Sequence, residues 1–227
     1  LIMFDSGTRS DVDTFLDFIQ NTLMRELTDL KVVVISHMHP DHSGGAKKLK
    51  ELTGCLLVGG RNINSWYQGH TGFLEHKVDI ALTYWVGSKK KKKIKNLFFK
   101  RDIKFDVELE EGESIPHFED WSVLFTPGHT TVDISLLNIN TRDLYVADNI
   151  IKLKKGYCAP YPMYNPFRYI ESLNKYAKLE VNRYLLAHGG IIDVNKIELE
   201  LIVNLVRRTP RTHIGFVKYK LSRLRRN

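Results

Sequence analysis

Cysteine is scarce in this chain of 227 residues, which contains only Cys55 and Cys158. The two lie far apart in the sequence and form no paired-cysteine metal motif, so neither a disulfide framework nor a thiolate zinc site is indicated. A free cysteine is usually a small buried hydrophobic residue. This usage fits a reducing compartment, and we expect a cytoplasmic protein. The chain begins at Leu1 without a methionine, so we also expect residues upstream of it, which leaves a targeting segment open.

Long hydrophobic runs are missing as well. A membrane-spanning helix needs about 20 consecutive apolar residues, and every apolar run here is soon broken by a charged residue, Pro or Gly. We therefore expect no membrane span. The hydrophobic share of 43% is nevertheless enough for a sizeable core. Length and composition together predict one domain over residues 1–227.

Positive charge is in excess, with a formal net charge of +8. It is concentrated in a lysine run at residues 89–93 and in a basic C-terminal tail at about residues 207–227. Basic runs bind anions only when they fold into one patch. The alternative is that both runs are solvated surface.

The first half of the chain alternates strand and helix. The apolar pattern predicts strands at 1–4, 32–35 and 56–58, with helices at 11–27 and 46–52 between them. The run Val32–Ile35 shows no alternation of apolar and polar residues, as expected for a strand covered on both faces. Residues 59–104 show no clean period, and we interpret them as an insert of helix and loop.

After residue 104 short strands follow one another without helices between them, which predicts a second, meandering sheet. Its predicted strands lie at 104–108, 121–126, 134–139 and 144–146. Helix, strand and helix then return at about 167–178, 184–186 and 195–208. Two sheets with helices outside predict an α/β fold, a four-layer αββα sandwich.

Three histidines and one aspartate fall within six residues, directly after the strand at 32–35: His37, His39, Asp41 and His42. Such a cluster arises by chance on the order of once per thousand chains of this length. Residues two apart on an extended segment point the same way, so His37 and His39 can bind one metal ion. Asp41 and His42, in the following turn, can face a second ion.

Zinc takes about four ligands and keeps one position open for water in catalytic sites, so this segment needs further ligands. The sequence offers them after other predicted strands. His129 follows the turn residues Pro127 and Gly128, and Asp148 and His188 each follow an apolar strand. Because strand ends meet at one edge of a sheet, we expect these side chains to converge.

These motifs resemble the metallo-β-lactamase superfamily, especially its glyoxalase II and lactonase-like branches. The resemblance rests on the His-x-His-x-Asp-His loop, the Thr-Pro-Gly-His-Thr turn, the Asp after a strand and the final His-Gly, and it runs from Asp5 to about Gly190. It implies two metal sites with seven ligands: His37, His39 and His129 on the first, Asp41, His42 and His188 on the second, and Asp148 bridging them. It further implies that Asp5 supports the histidine loop from behind, and that the first strand or strands of the fold precede Leu1.

The implied activity is that of a dinuclear metal-dependent hydrolase. Two divalent ions, zinc in the first place with manganese or iron as alternatives, bring the pKa of a bound water to about 7. The resulting metal-bridging hydroxide attacks a small ester, lactone or thioester. Asp41 is the expected catalytic residue, because it can orient the hydroxide and carry its proton. Aromatic side chains shortly after Asp148 are expected to contact this small-molecule substrate: Tyr157, Tyr161 and Tyr164.

Several alternatives stay open. The residues after the two histidine motifs, 131–133 and 189–191, differ from those typical of glyoxalase II, which weighs against a glutathione thioester. The same metal site could cleave a phosphodiester, so a phosphodiesterase or nuclease is the second choice. The Thr-Pro-Gly-His turn argues against a nuclease, which makes a nucleic-acid partner less expected. A mononuclear iron persulfide dioxygenase is the third, since iron supports oxygen chemistry and zinc does not. A non-enzymatic binding module is the fourth.

Overall fold

The computed structural model of the chain describes residues 1–89, 96–215 and 217. The chain divides into two compact units. The first contains residues 1–109 with 116–118, and the second contains residues 110–115 with those from 119 onward. Most of the predicted lysine run, residues 90–93, and the end of the basic tail, residue 216 and residues 218–227, lie outside the described residues.

The first unit is built on four parallel strands that lie side by side in chain order. They are β1 (Ile2–Phe4), β2 (Val32–Ile35), β3 (Leu56–Gly60) and β4 (Val107–Leu109), with the helices α1 (Val12–Asp17), α2 (Pro40–Ser43), α3 (Ala46–Thr53) and α4 (Gly69–Lys89) between them. All four residues of β2 are buried, as its uninterrupted apolar run predicts. The strand predicted at 104–108 belongs to this sheet and not to the second one, because β4 pairs in parallel with β3.

One helix of this unit is shorter than predicted, and another lies within the predicted insert of helix and loop. The helix expected over 11–27 is α-helical only as far as Asp17 and continues as one π-helical turn to Thr22. Met24 then adopts a positive φ of 52°, which a right-handed helix does not accommodate. The insert contains a helix of 21 residues, α4, which buries Glu75, His76 and Asp79. Its apolar periodicity is hidden because polar residues occupy the buried face while Phe73 and Trp85 are exposed.

The second unit contains a six-stranded mixed sheet in the order β12-β11-β8-β7-β6-β5. Its strands are β5 (Ser114–Ile115), β6 (Phe118–Phe125), β7 (Ile134–Asn138), β8 (Asp143–Ala147), β11 (Arg183–Leu186) and β12 (Gly190–Asp193), and a separate hairpin pairs β9 (Ile151–Leu153) with β10 (Gly156–Cys158). Strand β7 runs antiparallel to both β6 and β8, and β11 runs parallel to β8. The carboxyl ends of β6, β8 and β11 therefore lie at the same edge of this sheet.

The second unit also contains the helices α5 (Pro166–Tyr176) and α6 (Leu199–Leu205). Helix α5 begins where the Asn165 side chain accepts a hydrogen bond from the Arg168 backbone, and it buries Tyr169, Leu173 and Tyr176 in the core. The helix predicted over 195–208 is shorter than expected. A 3-10 turn covers Val194–Lys196, and extended backbone at Ile197 separates it from α6. Among the described residues, no helix is both long enough and apolar enough to span a membrane.

Candidate metal centre

The histidine loop of the first unit follows β2, where His37, His39 and His42 are all buried. The Nε2 atom of His37 lies 3.1 Å from the Nδ1 atom of His39. Two nitrogen ligands of one tetrahedral zinc ion, each about 2.0–2.1 Å from it, are about 3.3 Å apart. The spacing of these two ring nitrogens is therefore close to that of two ligands of one zinc ion, and zinc binds imidazole nitrogens.

Asp5 supports this loop from the neighbouring strand. It follows β1, which pairs in parallel with β2, so its carboxylate reaches the start of the loop. It accepts hydrogen bonds from the Ser36 backbone N–H at 2.7 Å and from the Ser36 hydroxyl at 2.8 Å. Its Oδ2 atom also lies 2.7 Å from Nδ1 of His42. Because Nδ1 of His42 is engaged in this way, the ligand atom that His42 offers is Nε2.

Asp41 lies in α2, next to His42. Its side chain is 39% exposed, and its Oδ2 atom is 3.9 Å from Nε2 of His42. A carboxylate that is open to solvent on one side can exchange protons with water. Asp41 thus lies beside a predicted ligand, and its carboxylate is accessible to solvent.

A further carboxylate, from the insert, lies near the histidine loop. No periodic pattern in the sequence predicted it. The Asp79 side chain of α4 is buried, and its Oδ2 atom lies 3.8 Å from Nε2 of His39. The Tyr67 hydroxyl donates a hydrogen bond of 2.8 Å to the same oxygen. Burial raises the pKa of Tyr67 well above its usual value, and the Asp79 carboxylate adds to this effect. Tyr67 therefore stays protonated and acts as a donor.

In the second unit, His129 lies in a turn after β6 that several hydrogen bonds stabilise. The Nδ1 atom of His129 lies 2.8 Å from the Pro162 carbonyl oxygen and, as the donor of this pair, leaves Nε2 as the ligand atom. The buried Asp133 carboxylate accepts hydrogen bonds from the backbone of Gly128 at 3.1 Å and of Thr130 at 2.7 Å. It also accepts one of 2.6 Å from the Thr130 hydroxyl. Burial raises the pKa of Asp133, and these donors act in the opposite direction.

Asp148 and His188 follow the parallel neighbours β8 and β11. One Asp148 oxygen, Oδ2, lies 3.5 Å from Nε2 of His129, and the other, Oδ1, lies 3.4 Å from Nε2 of His188. Each oxygen of this carboxylate thus faces a different histidine. The arrangement is suited to a carboxylate that ligates two ions.

The three tyrosines predicted to contact substrate take different positions in the second unit. Tyr157 belongs to β10 and packs against the hydrophobic core. Tyr161 is 42% exposed, and its ring lies under the Arg211 guanidinium at 4.9 Å. The Tyr164 backbone N–H donates to the carbonyl of Gly128. Tyr164 therefore borders the His129 turn, and Tyr161 offers the most accessible ring.

The seven predicted ligands thus form two groups, each brought together inside its own unit. The first unit holds His37, His39, Asp41 and His42, and the second holds His129, Asp148 and His188. Imidazole nitrogens and carboxylate oxygens are ligands that divalent metals accept in proteins, and these His and Asp residues could bind metal ions.

Histidine and aspartate side chains thus follow the strands of both sheets, as the motifs predicted, and they could bind metal ions. The chain belongs to the metallo-beta-lactamase superfamily, whose family model matches residues 1–188. The superfamily that the motifs resembled is confirmed, and so is the predicted α/β fold class.

Individual proteins show the same relationship. The Beta-lactamase-like protein 2 homolog of Drosophila melanogaster is 25% identical over 199 residues, which is 87% of this chain. The chain spans 58% of the length of that curated relative. A metallo-beta-lactamase superfamily protein from Sulfolobus tokodaii matches 89% of this chain and 74% of its own, with a TM-score of 0.62 and 20% identity. A metallo-beta-lactamase family protein from Thermus thermophilus matches 89% of this chain and 69% of its own, again with a TM-score of 0.62 and 20% identity. At such identity these structures show the shared fold.

Proposed function

We propose that the chain is a dinuclear metal-dependent hydrolase that cleaves a small ester, lactone or thioester. The proposed ligands are the seven that the motifs indicate: His37, His39 and His129 for one ion, Asp41, His42 and His188 for the other, and Asp148 for both. Zinc is the proposed metal. The proposed location is the cytoplasm, which the scarcity of cysteine supports.

The observation that carries this proposal is the position of Asp148. Its two carboxylate oxygens face His129 and His188 separately, at 3.5 and 3.4 Å. A carboxylate that binds only one ion needs only one of its oxygens near another ligand of that ion. Two oxygens aimed at two histidines favour a site for two ions. The Nε2–Nδ1 spacing of His37 and His39 independently supports a nitrogen-rich position for one of them.

Divalent ions, when bound, supply Lewis acidity that brings the pKa of a water ligand to about 7 and polarises a substrate carbonyl. The protein's own residues then handle the proton. Asp41 is partly exposed and adjacent to His42, so its carboxylate can accept the proton that the attacking water loses. It returns this proton to the alkoxide oxygen or thiolate sulfur that leaves. Asp5, through its bond to Nδ1 of His42, holds the neighbouring imidazole in place during this transfer.

The proposal is tested first by the metal content of the protein purified without added metal. Elemental analysis compares the intact chain with His129→Ala and Asp148→Ala, and His70→Ala serves as a control because His70 is an exposed histidine of α4. We expect about two zinc or manganese ions per chain, with loss in the two ligand variants and no change in the control. A single iron per chain would instead indicate oxygen chemistry, and the absence of metal would leave a binding module.

The bond cleaved is tested on the metal-loaded protein. We expect turnover of p-nitrophenyl acetate, simple lactones and thioesters, and a loss of roughly 10²-fold or more in kcat for Asp41→Asn, because this variant changes a proposed metal ligand and removes the proton acceptor. Preferential cleavage of bis-p-nitrophenyl phosphate would contradict the ester assignment and make the chain a phosphodiesterase.

A further inference from the structure

The insert between β3 and β4 supplies a buried carboxylate to one of the proposed metal ligands. Asp79 is 2% exposed and His39 is 5% exposed, so water screens this pair poorly. Oδ2 of Asp79 and Nε2 of His39 are 3.8 Å apart. This distance is within ion-pair range but longer than a hydrogen bond, so Asp79 acts on His39 mainly through its charge.

The two ring nitrogens of His39 face different neighbours. Its Nδ1 atom faces Nε2 of His37 at 3.1 Å, on the side where a shared ion would bind. Its Nε2 atom is on the opposite side of the ring, toward Asp79. A negative charge beside Nε2 favours the tautomer that carries the proton there. The lone pair of the imidazole is then on Nδ1, where a metal needs it.

Tyr67 determines where the Asp79 carboxylate lies. Its hydroxyl donates 2.8 Å to the same oxygen that faces His39, and it belongs to the short 3-10 segment Ile63–Tyr67 that precedes α4. The Trp66 ring of this segment packs edge-on against His39 at a centroid distance of 5.8 Å. The insert therefore lies against His39 with both an aromatic ring and a charged group. The 3-10 segment and α4 together determine the position of that charge.

We propose that Asp79 is a positioning residue that, held by Tyr67, selects the tautomer and orientation in which His39 binds metal through Nδ1. This inference rests on the proposed function. It assigns the insert a role in the metal centre, because carboxylates behind metal-ligating histidines raise the basicity of the ligand and fix its ring.

The test compares the intact chain with Asp79→Asn and with Tyr67→Phe. Glu75→Gln is the matched control, since Glu75 is a buried carboxylate on the same helix, one turn before Asp79. Zinc affinity is measured by competition with a chromophoric chelator. The His39 tautomer is measured from ¹⁵N chemical shifts of the histidine rings in metal-free protein, and folding of each variant is checked by thermal unfolding.

We expect Asp79→Asn to bind zinc about 10- to 100-fold more weakly and to shift His39 away from the Nε2-protonated tautomer. Tyr67→Phe should produce a smaller change in the same direction, and it keeps the inference testable if Asp79→Asn does not fold. Glu75→Gln should match the intact chain in both measurements.

Two failures are distinguishable. If the intact chain binds zinc and Asp79→Asn binds it equally well with an unchanged His39 tautomer, the positioning role is wrong and the proposed function stands. If the intact chain binds no divalent metal under any loading condition, the proposed function fails and the positioning role falls with it.

Discussion

The Asp5 carboxylate lies 2.7 Å from Nδ1 of His42, although the two residues are 37 positions apart in the chain. The contact arises because β1 and β2 are parallel neighbours whose ends lie side by side. The same carboxylate accepts both hydrogen bonds that Ser36 donates. One buried side chain therefore fixes the start of the histidine loop and the ring of its last histidine.

The first prediction concerns this carboxylate. Asp5→Asn keeps its size but removes the charge that pairs with the His42 ring, so we expect metal affinity to fall about 10- to 100-fold. Chelator competition measures this change. Asp11→Asn is the control, because Asp11 accepts hydrogen bonds from Thr8 in the same N-terminal segment and does not belong to the histidine loop. Equal affinity in Asp5→Asn and Asp11→Asn would contradict the role of Asp5.

The second prediction concerns Asp133, which organises the turn around His129. Asp133→Ala removes the acceptor of the Thr130 backbone N–H and hydroxyl, whereas the Gly128 N–H keeps the Thr130 carbonyl as an acceptor at 2.8 Å. Each buried donor that loses its partner costs about 1–3 kcal/mol, so we expect a loss of about 2 kcal/mol or more in the free energy of unfolding. Asp133→Asn retains one acceptor oxygen and should lose less. Urea unfolding measures both, and equal stability of the two variants would contradict this account of the turn.

The third prediction concerns Gly128, immediately before His129. It has a φ of 148°, and a Cβ atom there would lie 2.4 Å from the Tyr169 Cα atom. Because backbone cannot move aside cheaply, we expect Gly128→Ala to cost about 3 kcal/mol or more.

Gly112→Ala is the control for this substitution. Gly112 also has a positive φ, of 84°, but within the described part of the chain no atom lies within 4 Å of the added Cβ. It should cost only about 1 kcal/mol, from the backbone conformation alone. The midpoints of urea unfolding are compared between the two variants, with the same dependence of the unfolding free energy on urea concentration. Similar losses in both variants would show that close packing on Tyr169 is not the cause.

The fourth prediction concerns pH. His76 is buried against the Tyr67 and Phe99 rings, and burial, aided by the charge of Lys77, lowers its pKa to about 4. The unfolded histidine has a pKa of about 6.5, so the unfolded chain takes up this proton first as the pH falls. The stability that His76 contributes is therefore complete above pH of about 6.5 and is lost as the pH falls through about 4.

We expect this contribution to reach at most about 3 kcal/mol. The measurement is the free energy of unfolding from pH 7.5 to 4, in the presence of a chelator, for the intact chain and His76→Gln. The variant should lose less stability across this range. His70→Gln, which removes an exposed histidine of the same helix, should follow the intact chain. Parallel curves for the intact chain and His76→Gln would contradict the prediction.

Much of the fold could be predicted from local patterns. The uninterrupted apolar run of β2 and the alternation of strand and helix up to β3 require only short-range periodicity, and the structure agrees with them. Helix α4 shows no such signal, since its buried positions include Glu75, His76 and Asp79. The hairpin of β9 and β10 was also missed, because its strands have only three residues each.

The candidate site divides in the same way. The spacing of His37, His39 and His42 is visible in the sequence, as are Asp148 and His188 after their apolar strands. The motif set identified the superfamily that the family model confirms. The ligand roles stay predictions. Asp79 and Asp133 could not be assigned from sequence, because an aspartate on a surface and one buried against a histidine or a turn look alike in one dimension.

The sequence by itself therefore determined the family, the strand-end positions of the histidines and aspartates, and the chemistry that their nitrogen and oxygen atoms allow. Only the tertiary structure decided that β4 joins the first sheet, that Asp5 reaches His42, and that α4 brings Asp79 to His39. The physical reason is the range of the interactions. Backbone periodicity and motif spacing act over a few residues, whereas strand pairing and the burial of charged groups depend on residues that are distant in the chain and adjacent only after folding.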